Sequence, residues 1–324
     1  MNTTFPMLIR REFWEHRSLW LAPLIWVGII VFSFSWGIIQ ASGDEDFNHV
    51  VHAQSVDEIP GISDHDREEV RHAIKMSQDH EQSVFAFSFL AITGLLATFS
   101  CVVVFFYLID SLYTERKDRS ILFWKSMPIS DSNVVLSKLA VAMIVVPVGV
   151  ILLAAVTQFL LYIVVWLRVH GSAIEAILPD WSFVAWLRSQ AIALGMMLAG
   201  VLWYMPIAAY LLLLSAWAKN KVFLWTVLPP IALCVLEKIT QGSTHVLEFL
   251  GYRFIGYIEL LKIDPNAFSA GSHDSAEHLP RVNDVYDAFH LSNVFLSPEM
   301  WIGLAVAAAM IFAAIRIRRY RDES

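Results

Sequence analysis

An apolar stretch of the chain reads VVLSKLAVAMIVVPVGVILLAAVTQFLLYIVVW, from residue 134 to residue 166, and Lys138 is its one charged side chain. The hydrocarbon core of a membrane is about 30 Å thick, and a helix of roughly 20 residues crosses it. Lipid cannot satisfy the backbone groups of an irregular segment, and the stretch lacks the period-2 alternation of a barrel strand. It therefore predicts a transmembrane helix.

Five further runs of similar composition flank this stretch. Apolar residues make up 57% of the 324 residues and charged residues 16%, whereas soluble domains are nearer half apolar and a quarter charged. The first run is longer than the apolar segment of a cleaved signal peptide, about 7–15 residues, so we expect it to be retained. The prediction is an all-α membrane protein with residues 1–324 as a single transmembrane domain. The six predicted spans are residues 19–40, 84–109, 134–166, 187–215, 222–239 and 300–317.

Lys and Arg residues are concentrated on one side of these spans, as is usual for the cytoplasmic side. With both termini inside, the inner segments hold 14 of the 23 Lys and Arg residues and 8 of the 30 acidic residues. The inner face then carries a net charge of +6 and the outer face a net charge of −13. We therefore predict a multi-pass protein with both termini in the cytoplasm.

Two long segments lie on the predicted outer face, residues 41–83 and 240–299. The first is acidic, and its residues 63–80 have a helical pattern. In the second, residues 246–263 repeat apolar side chains at helical spacing but are too charged to span, so we expect a helix at the outer interface. Residues 264–298 are rich in Pro, Ser, His and Asp, which favours loop.

Residues 3–18 predict a short helix on the inner membrane surface. Their apolar side chains fall on one arc at helical spacing and their arginines fall elsewhere, as expected of an amphipathic interfacial helix. Glu12 and His16 interrupt the apolar arc. The alternative is an ordinary basic flank that only sets the topology. The residues expected at the interface are Arg10, Arg11, Phe13 and Trp14.

The longest inner loop joins the second and third spans, and we call its residues 115–131 the elbow. A dense charged cluster is followed by an amphipathic stretch with two aromatic side chains. Pro128 then breaks the helix, and Ser130 or Asp131 can cap the third span. A stiff elbow offers charge and aromatic rings to a cytoplasmic partner; the alternative is a topology-setting loop with interfacial aromatics. The candidate contact residues are Glu115, Arg116, Lys117, Asp118, Arg119, Phe123, Trp124 and Lys125.

Two segments carry a resemblance to a known family. The elbow reads ERKDRSILFWKSMPISD and resembles the coupling segment of bacterial ABC-2 type transporter permeases. Residues 8–17, LIRREFWEHR, resemble the N-terminal interfacial helix of the same family. The six-span layout, with a long outer segment before the last span, is also similar. The long, acidic first outer segment departs from the commonest members.

The resemblance implies the permease subunit of an ATP-binding cassette exporter in the bacterial inner membrane. It also implies two protein partners: a second permease chain, expected to be an identical copy, and a cytoplasmic ATPase that receives the elbow in a groove. No glycine in the chain is followed by lysine, so the Gly-x-x-x-x-Gly-Lys phosphate loop is absent. We therefore expect no enzymatic activity and no cofactor in this chain. ATP and Mg²⁺ would bind to the ATPase, membrane lipid would surround the spans, and no nucleic-acid partner is expected.

Polar residues inside the spans bear on the alternative of a self-sufficient secondary transporter or channel. Thr157 and Gln158 are the main polar side chains well inside a span, and they are candidates for a transport pathway or for a helix–helix hydrogen bond. Ion-coupled carriers usually carry ionisable groups at such depths. Ten of the eleven histidines lie on the predicted outer face, but no His-x-x-x-His pair occurs, so no metal site is predicted.

Small residues recur at i, i+4 spacing in the fourth and sixth spans, and a similar face occurs in the second. They are Ala191, Gly195 and Ala199 in the fourth span, Gly303 and Ala307 in the sixth, and Ala91, Gly94, Ala97 and Cys101 in the second. Such faces allow helices to approach closely, either inside one chain or at a dimer seam. Prolines in the third to fifth spans permit kinks, because each removes a backbone donor.

We predict that the segments around Asp57 and His278 face the outside and that Lys219 faces the cytoplasm, because the charge asymmetry sets the orientation. Single cysteines would be placed at these positions in a background without Cys101 and Cys234. In intact spheroplasts, an impermeant thiol reagent should label the first two positions alone. Labelling at position 219 before the membrane is opened would overturn the topology.

Overall fold

A computed structural model describes residues 4–41, 64–118, 120, 129–169, 183–261 and 290–320, and every regular element in these ranges is a helix. The elements in chain order are α1 (Thr4–Glu15), α2 (Ser18–Ala41), α3 (Asp64–Lys117), α4 (Asp131–Ala140), a π-helical turn (Val141–Val145), α5 (Val146–Val169), α6 (Phe183–Trp217), α7 (Val222–Gln241), α8 (His245–Leu261), α9 (Leu291–Leu296) and α10 (Pro298–Tyr320).

Six helical segments are long and apolar enough to cross a membrane, and they coincide with the six predicted spans. The predicted all-helical, six-span fold is therefore confirmed for the described residues. The predicted spans end too early at the elbow and at the C-terminus, because the helices continue into Lys and Arg residues, which are good helix formers. The segments are Ser18–Trp36, Ser88–Lys117, Asp131–Leu167, Phe183–Trp217, Val222–Gln241 and Pro298–Tyr320.

The second span belongs to a much longer helix than predicted. α3 has 54 residues and begins at Asp64, which gives a length of about 80 Å at 1.5 Å per residue. The helix predicted at 63–80 and the span predicted at 84–109 are parts of this one helix, so the helical pattern is confirmed and the break expected between the two, at residues 81–83, is wrong. No glycine or proline occurs between Asp64 and Gly94, so nothing in this stretch ends the helix.

The fourth span is the centre of the bundle. α6 packs along both α3 and α10, while α2 packs against α5 and α3. Fully buried side chains such as Leu96, Trp203 and Leu212 fill these contacts. Large apolar side chains on the outside of the spans stay exposed, for example Phe32 at 69% and Leu152 at 63%. Such a surface requires lipid or another apolar surface around it.

A π-helical turn precedes the proline of the third span. The backbone N–H of Val146 donates to the carbonyl of Val141, five residues back. Pro147 has no N–H to donate and its ring crowds the preceding turn, so the wider turn makes room for it. α6 and α7 continue through their prolines without such a turn. The third span is therefore one membrane crossing built from three helical segments.

The chain reverses direction between α7 and α8. Gly242 has a φ of 68°, a left-handed conformation that glycine adopts at low cost. The Glu237 carboxylate accepts hydrogen bonds from the backbone N–H groups of His245 and Val246, both at 2.8 Å, and from the Ser243 hydroxyl at 2.6 Å. It thereby caps the N-terminus of α8. This helix confirms the helical pattern predicted after the fifth span.

An arginine–tryptophan pair docks α8 on the fourth span. The Arg253 guanidinium lies 4.5 Å from the centre of the Trp203 ring and donates to the Trp203 carbonyl at 2.6 Å. The Trp203 indole N–H donates back to the Arg253 carbonyl at 3.0 Å. A cation–π contact of this kind contributes about 0.5–2 kcal/mol, depending on how far the cation is removed from water.

The small-residue faces of the fourth and sixth spans serve packing within the chain. A Cβ added to Gly195 would lie 2.7 Å from Leu291, and one added to Gly303 would overlap the Arg253 guanidinium. Of the alanines on the same faces, Ala199 and Ala307 are buried, whereas Ala191 is exposed. Of the two open interpretations, internal packing rather than a dimer seam is the one that these contacts support.

One short helix lies in a segment predicted to be mostly loop. α9 lies inside residues 264–298, and residues 264–289 of that segment lie outside the described ranges. Val294 of α9 is fully buried in a cluster with Trp203 and Met300. A helix of six residues is unstable alone, so tertiary burial rather than local pattern stabilises it.

Gly303→Ala should destabilise the fold, because the added methyl would displace Arg253 from Trp203. Overpacking of this kind costs about 1–3 kcal/mol. Gly149→Ala is the matched control, since it lies in a membrane-crossing helix, its Cβ position is open, and alanine is the better helix former. Thermal unfolding in detergent should show a lowered midpoint for the first variant only. Equal midpoints for the two variants would contradict the docking geometry.

Candidate functional site

Six charged side chains from four helices meet at the end of the bundle that carries the elbow, and we call them the ion-pair network. They are Arg11 and Glu12 of α1, Glu115 of α3, Asp131 and Lys138 of α4, and Arg318 of α10. Four of them are almost wholly buried: Glu12 is 0% exposed, Lys138 1%, Arg318 4% and Glu115 5%. Charges buried to this extent must be paired, because each loses its hydration.

Lys138 fastens the N-terminal helix to the third span. Its Nζ donates to both carboxylate oxygens of Glu12, at 2.9 Å each. The Tyr107 hydroxyl of α3 donates to Glu12 Oε2 at 3.2 Å, and the His16 ring packs edge-on against Tyr107. Glu12 shares the inward face of α1 with the buried Leu8. Glu12 interrupts the apolar arc of α1, as predicted, but it does so as a buried anchor paired with Lys138.

Glu115 receives three cations from three other helices. Its Oε1 lies 3.0 Å from Lys138 Nζ and 3.0 Å from Arg11 Nη2. Its Oε2 accepts from Arg318 Nη1 at 2.6 Å. One carboxylate thus joins α1, α3, α4 and α10, and its charge-assisted hydrogen bonds are stronger than neutral ones.

Arg318 connects the two ends of the elbow. Its Nη1 donates to Glu115 Oε2 at 2.6 Å, and its Nε donates to Asp131 Oδ1 at 3.2 Å. Glu115 is the first residue of the elbow and Asp131 the last. A guanidinium is planar and presents its donors in a fixed geometry, so it sets the separation and orientation of the two carboxylates.

The ion-pair network contains three acids and three bases, so it has no formal net charge. Burial alone would lower the pKa of Arg11, but the carboxylates of Glu12, Glu115 and Glu15 outweigh that effect and raise it above its ordinary value. Arg11 therefore stays charged at any physiological pH. Breaking a buried pair by removing one partner costs about 3–5 kcal/mol, because the other charge stays buried.

Arg116 ties the second span to the end of the fourth. Its Nη2 donates to the carbonyls of Ser215 and Ala218, the latter at 2.9 Å. The Ser215 hydroxyl in turn accepts from the backbone N–H groups of Leu112 and Tyr113, at 3.0 and 3.1 Å. The last carbonyls of a helix need donors, and a cation is favourable there. Arg116 supplies both the hydrogen-bond donors and the positive charge.

The predicted contact residues of the elbow separate into three groups. Glu115 and Arg116 make the contacts above, inside the chain. Lys117 and Asp118 are exposed at the end of α3. The predicted cap of the third span is confirmed, because the Ser130 hydroxyl accepts from the N–H of Asn133 at 3.3 Å. Arg119, Phe123, Trp124 and Lys125 lie outside the described residues.

The predicted N-terminal helix is confirmed as α1, and its position on the membrane surface stays a prediction. Arg10 and Trp14 are exposed, and Arg11 and Phe13 are half-buried. Arg11 also pairs with Glu15 one turn on, at 3.1 Å. α1 therefore presents an arginine and a tryptophan outward while its other face packs on the third span.

The predicted pathway residues belong to a hydrogen-bonded cluster between the second, third and fourth spans. Gln158 is 2% exposed and uses both amide hydrogens and both lone pairs of its oxygen. The Thr157 hydroxyl donates to the backbone of its own helix. These contacts fit the interpretation of a helix–helix hydrogen bond. The partners of Gln158 are the Phe89 carbonyl at 2.9 Å, the Thr93 hydroxyl at 3.2 Å, the Trp186 indole at 3.0 Å and the Gln190 amide at 2.6 Å.

Within the described ranges, no three His, Cys, Asp or Glu side chains are grouped as metal ligands would be. His245 is one predicted outer histidine whose surroundings are described. It is exposed, and its Nδ1 lies 3.8 Å from Oε2 of Glu248.

Comparisons of the chain with family models, with curated proteins and with solved structures find no match. The family resemblance therefore depends on the elbow, the N-terminal segment and the six-span layout, and the function it implies stays a prediction.

Sequence reasoning missed the ion-pair network, although one signal for it was present. Lys138 lies one turn inside the apolar stretch at 134–166, and a charge at such a place predicts a buried partner. Arg318 is one of four arginines near the C-terminus, and nothing in the sequence distinguishes it from its exposed neighbour Arg319.

Lys138→Met should destabilise the protein by about 3–5 kcal/mol, because the buried Glu12 loses its principal cation. Lys219→Met, at an exposed lysine on the same end of the bundle, should change little. Adding Glu12→Gln to Lys138→Met should recover part of the loss, with a coupling of about 0.5–3 kcal/mol in a double-mutant cycle. Strictly additive losses in denaturation of the purified protein would contradict the pairing.

Proposed function

We propose that this chain is the permease subunit of an ATP-driven exporter, paired with a second permease chain and powered by a separate cytoplasmic ATPase. The observation that carries the proposal is the contact of one guanidinium, Arg318, with both ends of the elbow, Glu115 and Asp131. The resemblance of the elbow to a coupling segment supports the choice of transporter class.

The contacts of Arg318 with both ends of the elbow provide a path by which a force on the elbow reaches the spans. A partner that pushes on residues 118–130 pushes on a segment whose ends are joined through Arg318 and Lys138. The load then passes into α3, α4 and α10 together, and through Lys138 and Glu12 into α1. Because the joints are buried ion pairs rather than surface ones, the load tilts the spans instead of separating them.

A second permease chain would complete the pathway. The spans expose large apolar side chains over much of their length, and these can face lipid or another copy of the chain. In the proposed exporter each chain supplies half of a transport pathway between the two copies. ATP hydrolysis by the ATPases opens this pathway to one side of the membrane and then to the other.

The rival function is a self-sufficient secondary transporter or channel. Such a protein usually carries ionisable or unsatisfied polar groups inside its spans. Gln158 has every hydrogen-bonding group engaged by the chain, and the ion-pair network lies at one end of the bundle with each member paired. Among the described residues, the buried Ser100 Oγ and Gln190 Oε1 inside the spans have no hydrogen-bond partner, but every buried acidic or basic side chain is paired, and this favours the driven permease.

The purified chain should hydrolyse no ATP, because it has no phosphate loop for the nucleotide. The measurement is phosphate release by a preparation shown by mass spectrometry to lack any ATPase subunit. Turnover that persists in such a preparation and is lost when the chain is removed by antibody would contradict the proposal.

Changes to Lys117 and to the two aromatic residues of the elbow should abolish the partner's association while leaving the chain folded. We would combine Lys117→Glu with Phe123→Ala and Trp124→Ala, and purify the tagged chain from its native membranes. A protein carrying a phosphate loop and ATPase activity should co-purify with the wild type and be lost from the variant. The thermal unfolding midpoint should stay within experimental error, because Lys117 is exposed and the proposal assigns the two aromatic side chains to the partner's groove.

Glu115→Gln is the companion variant, since it weakens the ion-pair network rather than the docking surface. It should lower the thermal midpoint and reduce substrate-stimulated ATPase activity. Arg319→Gln, at an exposed arginine, is the matched control. If the triple variant retains the ATPase and its stimulation at wild-type levels, the elbow only sets the topology and the proposed coupling is wrong.

A further inference from the structure

A cavity of about 580 Å³ opens beside the ion-pair network, and its lining includes Tyr107 and His16, which both contact Glu12. Its floor is one face of α3, with residues at helical spacing. One wall is the junction of α1 and α2, and the other is the start of α7. The lining residues used below are Val103, Phe106, Asp110, Tyr113, Lys221 and Phe223.

The cavity is polar at one end and apolar at the other. Tyr113 and Asp110 lie toward the elbow, and Phe106 and Val103 lie deeper along α3. Tyr113 and Val103 are ten residues apart, which is about 15 Å along a helix and half of a hydrocarbon core of about 30 Å. At the deep end Phe106 stacks with Phe223 of α7, with 6.4 Å between ring centres. This profile matches the headgroup and upper acyl chains of one membrane leaflet.

Two opposite charges lie at the polar end, and neither is paired. Asp110 and Lys221 are both exposed, and neither takes part in an ion pair with another described residue. This contrasts with the neighbouring ion-pair network, where every charge has a partner. Lys221 also occupies the N-cap of α7 without a side-chain cap. The Leu224 N–H donates to the Lys221 carbonyl at 2.9 Å, which leaves the N–H groups of Val222 and Phe223 open to an anion.

We propose that this cavity binds one phospholipid of the cytoplasmic leaflet whose headgroup carries both a phosphate and a primary ammonium, that is, phosphatidylethanolamine. The phosphate is recognised by Lys221 and the open N-terminus of α7. The ammonium is recognised by the Asp110 carboxylate, and an acyl chain lies along Val103 and the stacked Phe106 and Phe223. The bound lipid joins the first, second and fifth spans.

Charge complementarity selects this headgroup among the common ones. Phosphatidylglycerol supplies the phosphate but no cation, so it would leave Asp110 unpaired beside a lipid of the same charge. Phosphatidylcholine supplies a cation that cannot donate a hydrogen bond. A charge-assisted N–H···O⁻ hydrogen bond is roughly twice as strong as a neutral one, which distinguishes the two zwitterions.

The test is native mass spectrometry of the full chain released from bilayers containing equal parts phosphatidylethanolamine, phosphatidylcholine and phosphatidylglycerol. The wild type should retain phosphatidylethanolamine about tenfold over phosphatidylcholine, the factor expected of one hydrogen bond to a charged group. Asp110→Asn should reduce that ratio to near one, and Lys221→Gln should lower retention of all three lipids. Asp118→Asn and Lys219→Gln, at exposed charges outside the cavity, are the matched controls.

Equal retention of the two zwitterionic lipids by the wild type would overturn the proposal, as would a preference for phosphatidylglycerol. The same change of ratio in a control variant would also overturn it, as would the absence of any bound lipid because a second chain fills the cavity. If a charge variant fails to fold, Val103→Trp fills the apolar end without touching the charges. Unchanged phosphatidylethanolamine retention by that variant would overturn the proposal independently of Asp110.

Discussion

The structure depends on the rule that a charge removed from water must be given a partner. Lys138 lies inside the third span, where no water can solvate it, and it is neutralised only because α1 delivers Glu12 and α3 delivers Glu115. Glu115 then needs further cations, which come from Arg318 and Arg11. Each pairing requires a helix to hold one position and one rotation about its axis, so one set of charges positions four helices.

This constraint explains features that the hydrophobic effect alone leaves open. Apolar spans can slide and rotate against one another in lipid, because lipid solvates their faces as well as a neighbour does. The ion-pair network fixes the register at the elbow end, and the Gln158 cluster fixes it further along the same helices. The Arg253–Trp203 contact fixes the position of α8 against the fourth span. Buried polar groups thus specify the arrangement, and apolar packing fills the space between them.

Much of the fold could be predicted from the sequence, and most of the candidate site could not. The spans follow from length and hydropathy, and the Ser130 cap follows from local chemistry next to Pro128. The burial of Glu12 could not be predicted, because on a short amphipathic helix a glutamate ordinarily faces water and its partner is more than a hundred residues away. Likewise, α3 was divided because its first part is polar, although a helix needs no change of backbone to pass from water into lipid.

The central claim is that the ion-pair network makes the elbow and the last helix one mechanical unit. Double electron–electron resonance between spin labels on the exposed Asp118 and Tyr320 measures the spread of distances between them. A single narrow distribution is predicted for the wild type and for Arg319→Gln, and a broadened or shifted one for Arg318→Gln. An unchanged distribution in Arg318→Gln would contradict the claim, because the two ends would then be held together without the guanidinium.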